Sequence, residues 1–234
     1  MLSAAGGPLH AGDVAEPAII GFSPDARTFA FEEFGVQDGS GFPYATVFLI
    51  DTASDGWLSG TPVQVVLEDG KADVGDARSR AWQLATAPLR DAGVVAGNFV
   101  VLASQPLGEY PADPRALSFG VPGFDPLGDP VARYRLELAV TEVPLEAECP
   151  ADGRGAGPGY ALTLQDLATG QAVLLHRDAG VPRSRGCPID YGISVAVLAA
   201  SGDASVLAVL VSLFRQGFEG PDRRFLAVTG RLPR

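Results

Sequence analysis

The sequence predicts a mainly β protein: a single domain of antiparallel sheets with one amphipathic helix laid on a sheet. Three observations predict it. The 234 residues include 29 glycines and 19 prolines, which cut the chain into short apolar runs, the pattern of many strands joined by turns. Those runs favour β-branched and aromatic residues, as in Val47-Phe-Leu-Ile50, which suit a pleated surface better than a short helix. Only residues 73–92 space their apolar side chains by threes and fours, the period of a helix with one buried face. At 47% hydrophobic and 19% charged, the chain has the composition of a globular protein. No composition shift marks a boundary, so residues 12–234 are read as one domain.

The elements follow in order. Ile19 to Phe22 leads into Ser23-Pro24-Asp25-Ala26, a turn in which Pro presets φ and Asp bonds its own backbone. Thr28 to Phe34 and Thr46 to Asp51 read as strands, and a turn runs from Asp51 to Gly56. Between Pro62 and Leu67, Val63, Val65 and Leu67 alternate with Gln64, a half-buried strand. The helix puts Val74, Ala77, Ala81, Leu84, Ala85 and Leu89 on its apolar face, with Arg78, Arg80 and Gln83 elsewhere. Asp73 or Asp76 caps its start and Pro88 bends or ends it. Further strands are read at Asn98 to Ala103, Ala116 to Phe119, Tyr134 to Val143, Tyr160 to Asp166 and Ala172 to His176. A long loop from Val143 to Pro158 carries Cys149. The most apolar stretch, Ile193 to Phe214, is broken by Ser201-Gly-Asp-Ala-Ser205. It therefore reads as two buried strands of a hairpin, not a membrane span of about 20 residues. Phe225 to Val228 is the final strand.

Charge and composition exclude several functions. A net charge of −11 argues against electrostatic binding of nucleic acid. With only two Cys and two His, a zinc site of the usual Cys/His kind is nearly excluded, and no cofactor is expected. Gly153-Arg-Gly-Ala-Gly-Pro-Gly159 lacks a following Lys-Ser/Thr and is no phosphate loop. There is no Gly-x-Ser-x-Gly elbow, and a Ser/His/Asp enzyme would hang on His176 alone; that histidine is read as structural. Cys149 and Cys187 sit in Glu-Cys-Pro and Gly-Cys-Pro contexts. One structural disulfide and an oxidising compartment are expected, two free thiols being the alternative. Residues 1–11 end in Leu9-His10-Ala11 and are read as the tail of a signal peptide, with an ordinary N-terminus as the alternative.

Two clusters are candidates for chemistry. Glu32, Glu33 and Asp38 lie beside Gly35, Gly39 and Gly41. They read first as a solvated acidic loop, since the spacing of a calcium loop is absent. Strand alternation sends Glu32 and Glu33 to opposite faces, whereas a carboxylate-based hydrolase needs two acids facing one cleft. Arg183, Arg185, Arg223 and Arg224 flank Ser184, Glu219 and Asp222. They form either a pocket for an anion or an internal network pairing those carboxylates. The anion reading requires Arg183, Arg185 and Arg224 to converge on one accessible pocket without internal partners. Pro24-Asp-Ala-Arg27 and Pro221-Asp-Arg-Arg224 read as a weak repeat. It predicts that Asp25 and Asp222 cap their own turns and that Phe29 and Leu226 point into the core. Phe42, Tyr44 and Trp57 follow Gly-rich turns and can stack on a sugar or anchor a partner.

Phe22-Ser-Pro-Asp-Ala-Arg-Thr-Phe-Ala-Phe31 with Val47 to Asp51 resembles a β-propeller blade of the TolB and prolyl-oligopeptidase type, with Ala26 where the usual turn has Gly. This implies propeller-blade-like sheets, a β-sandwich being the alternative. Ile20 to Asp25, Phe31 to Tyr44, Pro182 to Pro188 and Gly217 to Ala227 resemble a bacterial family of predicted secreted proteins of unknown function. That resemblance implies export, periplasmic or secreted, and carries no catalytic residues. The expectation is a non-enzymatic exported module that binds a protein or small ligand. A carboxylate hydrolase and a structural periplasmic protein are the alternatives.

Overall fold

A computed structural model describes residues 12–106, 113–123, 128–147, 149, 155–201 and 205–233. The expected signal tail and residues 153–154 of the glycine loop lie outside these residues, as do 202–204 of the hairpin turn. The first strands are β1 (Glu16–Phe22), β2 (Thr28–Val36), β3 (Pro43–Asp51), β4 (Gly56–Trp57) and β5 (Val63–Val66); α1 (Val74–Asp91) follows. Next come β6 (Phe99–Ser104), β7 (Ala116–Val121), β8 (Ala132–Pro144), β9 (Ala156–Asp166) and β10 (Ala172–Arg177). A 3-10 turn at Arg183–Arg185 leads to β11 (Pro188–Ala199), β12 (Val206–Gln216) and β13 (Pro221–Arg231).

The strands form three antiparallel sheets. An N-terminal sheet runs β1-β2-β3-β4 with β5 on β3, a central sheet β13-β12-β11-β6, and a third sheet β10-β9-β8-β7. Side-chain parity on β12 explains the layering. Val206, Ala208 and Leu210 pack with Phe29, Phe31 and Phe48 of the N-terminal sheet. Leu207, Val209, Val211 and Leu213 pack with Leu136, Leu162 and Leu164 of the third sheet. A sheet covered on both faces needs apolar residues on both sides of each strand, which is why β11 and β12 carry apolar runs on either side of the turn. The described strands make a layered sandwich and close no propeller ring. The blade resemblance is therefore local: a Ser-Pro-Asp turn serves any antiparallel hairpin. Ala26 stands at φ 56°, the left-handed conformation for which glycine is the usual residue.

The helix covers the outer face of the N-terminal sheet. Asp73 caps it by accepting from the Asp76 N–H at 2.9 Å, and Asp76 accepts in return from the Asp73 N–H at 3.0 Å. Ala77, Ala81, Ala85 and Leu89 are buried against Ala30, Ala45, Val47 and Leu49. Alanine on both sides lets the helix lie close. Leu84, expected on that face, lies at the edge of this narrow stripe and stays 47% exposed.

Two sequence expectations need correction. Glu32 and Glu33 are not in a solvated loop; they sit within β2 at 1% and 6% exposure, on opposite faces as alternation requires. Glu32 faces the helix and accepts from Trp82 Nε1 at 2.8 Å and from Arg78 through Nε at 3.1 Å and through Nη2. Arg78 also lies 3.9 Å from the Phe34 ring centre. The two Pro-Asp-x-Arg segments are not equivalent. Asp25 does hold its turn, accepting from the Arg27 N–H at 3.2 Å and the Ser23 hydroxyl at 2.6 Å, and Phe29 is fully buried. Pro221-Asp222 instead opens β13, and Asp222 accepts from the Asp13 N–H at 3.2 Å, because the segment before β1 lies beside β13. Leu226 is half-buried against the third-sheet core. Cys149 and Cys187 are bonded, with Cα atoms 5.5 Å apart. Among the described residues no helix is long and apolar enough to cross a membrane.

Candidate functional site

All three sheets contribute to one cavity of about 540 Å³. The N-terminal sheet supplies Phe31, Glu33, Tyr44, Phe48 and Trp57; the third sheet supplies Tyr160 and His176; the central sheet supplies Leu213, Arg215, Arg224 and Phe225. The rings form connected walls. Phe31 and Phe48 stack with centres 4.6 Å apart, Trp57 stands 6.2 Å beyond Phe48, and His176 stacks on Tyr160 at 4.7 Å. Trp57 is 55% exposed, so its ring remains available to an incoming molecule.

The 3-10 turn delivers Arg185 to this cavity, and its neighbours hold it in place. Cys187 is tied to Cys149, the Arg183 N–H donates to Glu146 Oε2 at 3.2 Å, and the Val181 N–H donates to the Pro144 carbonyl at 2.8 Å. Arg185 Nη1 then reaches Asp178 Oδ2 at 2.7 Å, with its guanidinium carbon 5.3 Å from the Tyr160 ring centre. Asp178 also accepts from the Tyr160 N–H at 2.9 Å and pairs with His176 Nε2 at 2.9 Å. Burial works against its charge, but these hydrogen bonds outweigh it and hold its carboxyl down at about 2.

Across the cavity, Arg224 pairs with Asp13, whose Oδ1 accepts from the Tyr44 hydroxyl at 2.7 Å. Arg224 also lies 4.7 Å from the Tyr44 ring centre. Arg215 approaches Asp222 at 3.6 Å. Glu33 accepts from the Phe225 N–H at 2.9 Å. Burial pushes its carboxyl up to about 7, although that N–H, Arg224 and Arg215 all favour the ionised form.

A carboxyl raised from 4.5 to about 7 gives a pH signature of definite sign. The folded state binds the extra proton, so this contribution is complete below pH 4.5 and is lost as pH rises through about 7. It amounts to about 3 kcal/mol. Glu33→Gln keeps an acceptor for the Phe225 N–H and removes the titration. Thermal unfolding from pH 4.5 to 8 should show a decline in the parent that is shallower in E33Q; parallel profiles would disprove the titration.

The structure sorts the predicted site residues as follows. Arg185 and Arg224 share the cavity, but each already holds an internal carboxylate. Arg183 is exposed and is not in the lining. Arg223 lines a different pocket. Glu33 enters the cavity, Glu32 faces the helix, and Asp38 accepts from the Glu219 N–H at 2.8 Å. The three carboxylates therefore share no cleft. Tyr160, Asp178 and Asp13 were missed, because their roles come from partners distant in sequence or from a short Asp beside a histidine that was read as structural. Among the described residues no group of three His, Cys, Asp or Glu is placed to hold a metal ion.

No curated protein and no solved structure matches the chain. The family model described as "Predicted secreted protein (DUF2259)" matches residues 30–231, a span that includes the cavity walls on all three sheets, the disulfide and the 3-10 turn. The chain belongs to this family of predicted secreted proteins.

Proposed function

We propose that the protein is an exported binding protein whose three-sheet cavity takes a small neutral molecule with one flat apolar face and a hydroxyl-bearing edge, the chemistry of a sugar ring. The observation that carries this is the combination of aromatic walls with arginines that are already paired. A cavity of about 540 Å³ lies within the usual range for small-molecule sites. Phe48 and Trp57 offer ring faces for stacking. Gln37, Gln64, Ser184 and His176 supply hydrogen-bonding groups. Because Arg185, Arg215 and Arg224 face Asp178, Asp222 and Asp13, the cavity presents fixed donors and no uncompensated cation, which suits a neutral ligand better than an anion. Binding fits better than hydrolysis, since of Glu32, Glu33 and Asp38 only Glu33 lines the cavity. The second carboxylate there, Asp55, already accepts from the Thr229 N–H at 2.6 Å and its hydroxyl at 2.8 Å.

The test uses glucose, galactose, N-acetylglucosamine and lactose, read by tryptophan fluorescence. The chain has two tryptophans, so Trp82→Phe isolates Trp57. At least one sugar should change the Trp57 emission saturably, and Trp57→Ala should weaken that sugar's binding by about 3- to 10-fold in calorimetry. No saturable response to any of the four would overturn the reading.

A further inference from the structure

A second cavity, of about 280 Å³, shares no lining residue with the first. Its walls are Pro17 and Ile19 of β1, Ser104, Gln105 and Pro106 at and after the end of β6, Ser194 and Val195 of β11, and Arg223 of β13. We infer that this pocket binds a small monocarboxylate, with the carboxylate on the Arg223 guanidinium and a short apolar body against Pro17, Ile19 and Val195.

The argument starts from an uncompensated charge. Arg223 is 6% exposed. Its Nε donates to Ser212 Oγ at 3.0 Å and its Nη2 to Ser194 Oγ at 3.4 Å, and its guanidinium lies 4.5 Å from the Phe225 ring centre. Arg78, Arg115, Arg185 and Arg224 each reach a carboxylate. Among the described residues, none lies within ion-pair distance of Arg223, and no Asp or Glu lines its pocket. Serine hydroxyls orient a guanidinium without neutralising it. Burial pulls this group down only to about 10, so the charge persists at neutral pH in surroundings that penalise it. A guanidinium carries five N–H groups in a planar fork, and two hydroxyls leave part of that fork free for an anion.

Local structure aims the pocket. The bulge between Ile193 and Val195 places Ser194 and Val195 together in the lining, the re-aiming that an extra strand residue produces. The fork matches a carboxylate. A single cation suits a single negative charge, and the lining holds no second one for a doubly charged phosphate. The volume is that of roughly nine water molecules, and Pro17, Ile19, Pro106 and Val195 call for a short apolar body.

The probe is sodium butyrate, titrated into protein carrying ¹³C-labelled Ile and Val methyl groups, with sodium chloride holding the ionic strength. Butanamide is the uncharged isostere. Saturable shifts are expected at the Ile19 and Val195 methyls, about 10- to 100-fold weaker for butanamide and for Arg223→Met. Arg90→Gln, which removes an exposed charge paired with Asp91, should leave them unchanged. The absence of saturable shifts, or equal binding of butanamide, overturns the inference, and neither result requires a variant to fold. N-acetylvaline tests a peptide C-terminus as the source of the same carboxylate; tighter binding than butyrate would assign the pocket to chain termini. These methyls lie outside the sugar-titration readout, so failure at one cavity does not decide the other.

Discussion

Replacing Asp178 by alanine is expected to lower the unfolding free energy by about 3–5 kcal/mol, the cost of stripping one partner from a buried ion pair. Asp178 and Arg185 expose only 3% and 13% of their side chains, so water cannot easily substitute for the lost oxygen. The change removes the acceptor of the Tyr160 N–H, the partner of His176 and the counter-charge of Arg185 in one step. For a chain of this length the midpoint should fall by roughly 6–20 °C. Asp178→Asn retains an acceptor for the Tyr160 N–H and loses the charge, at about 2 kcal/mol. The pH dependence has the opposite sign to that of Glu33. The folded-state value of about 2 lies below the ordinary 3.8, so this stability is present above pH 3.8 and is lost as pH falls through about 2. The gap between D178N and the parent should therefore narrow in acid. Urea titrations at pH 7 and pH 2.5 measure both effects. A D178A variant within about 0.5 kcal/mol of the parent would mean that the pair contributes only what an exposed one does.

The contrast between Asp178 and the acidic residues of β2 shows what can be read from sequence. The helix at 73–92, the apolar hairpin and the disulfide were legible because each rests on local pattern: a 3.6-residue period, an apolar run on either side of a turn, two cysteines in loop contexts. The opposite facing of Glu32 and Glu33 was legible for the same reason. Their burial was not. Beside Gly35, Gly39 and Gly41 they look like part of a solvated loop, while the groups that cover them, Trp82 and Phe225, lie 50 and 192 positions away. Asp222 failed as a turn cap for a related reason: the Asp13 N–H, 209 positions away, claims its oxygen. The arginine cluster was half legible. Sequence proximity grouped Arg223 with Arg224, but adjacent residues on a strand face opposite ways. One therefore lines the large cavity beside its own carboxylate, and the other lines a separate pocket with none.

Removing the disulfide, by Cys149→Ser with Cys187→Ser, is expected to destabilise the protein by about 4 kcal/mol for a loop closed over 38 residues. The midpoint should fall by roughly 8–16 °C. The bond matters beyond loop entropy because of where it lies. Cys187 is two residues from Arg185, so the cross-link restrains the turn that seats this guanidinium between Asp178 and Tyr160. Loosening the turn and removing Asp178 act on the same few contacts. The combined variant should therefore lose less than the sum of the separate losses, by about 0.5–3 kcal/mol. Strict additivity would mean that the disulfide acts on the unfolded chain alone and does not hold Arg185 at the cavity wall. A protein exported to an oxidising compartment keeps such a bond. Treatment with dithiothreitol should reproduce the serine variant, seen as a lower midpoint and as changes in the resonances of Ser184 and Tyr160. The Ile19 methyls at the Arg223 pocket, on a strand that neither cysteine adjoins, should stay in place.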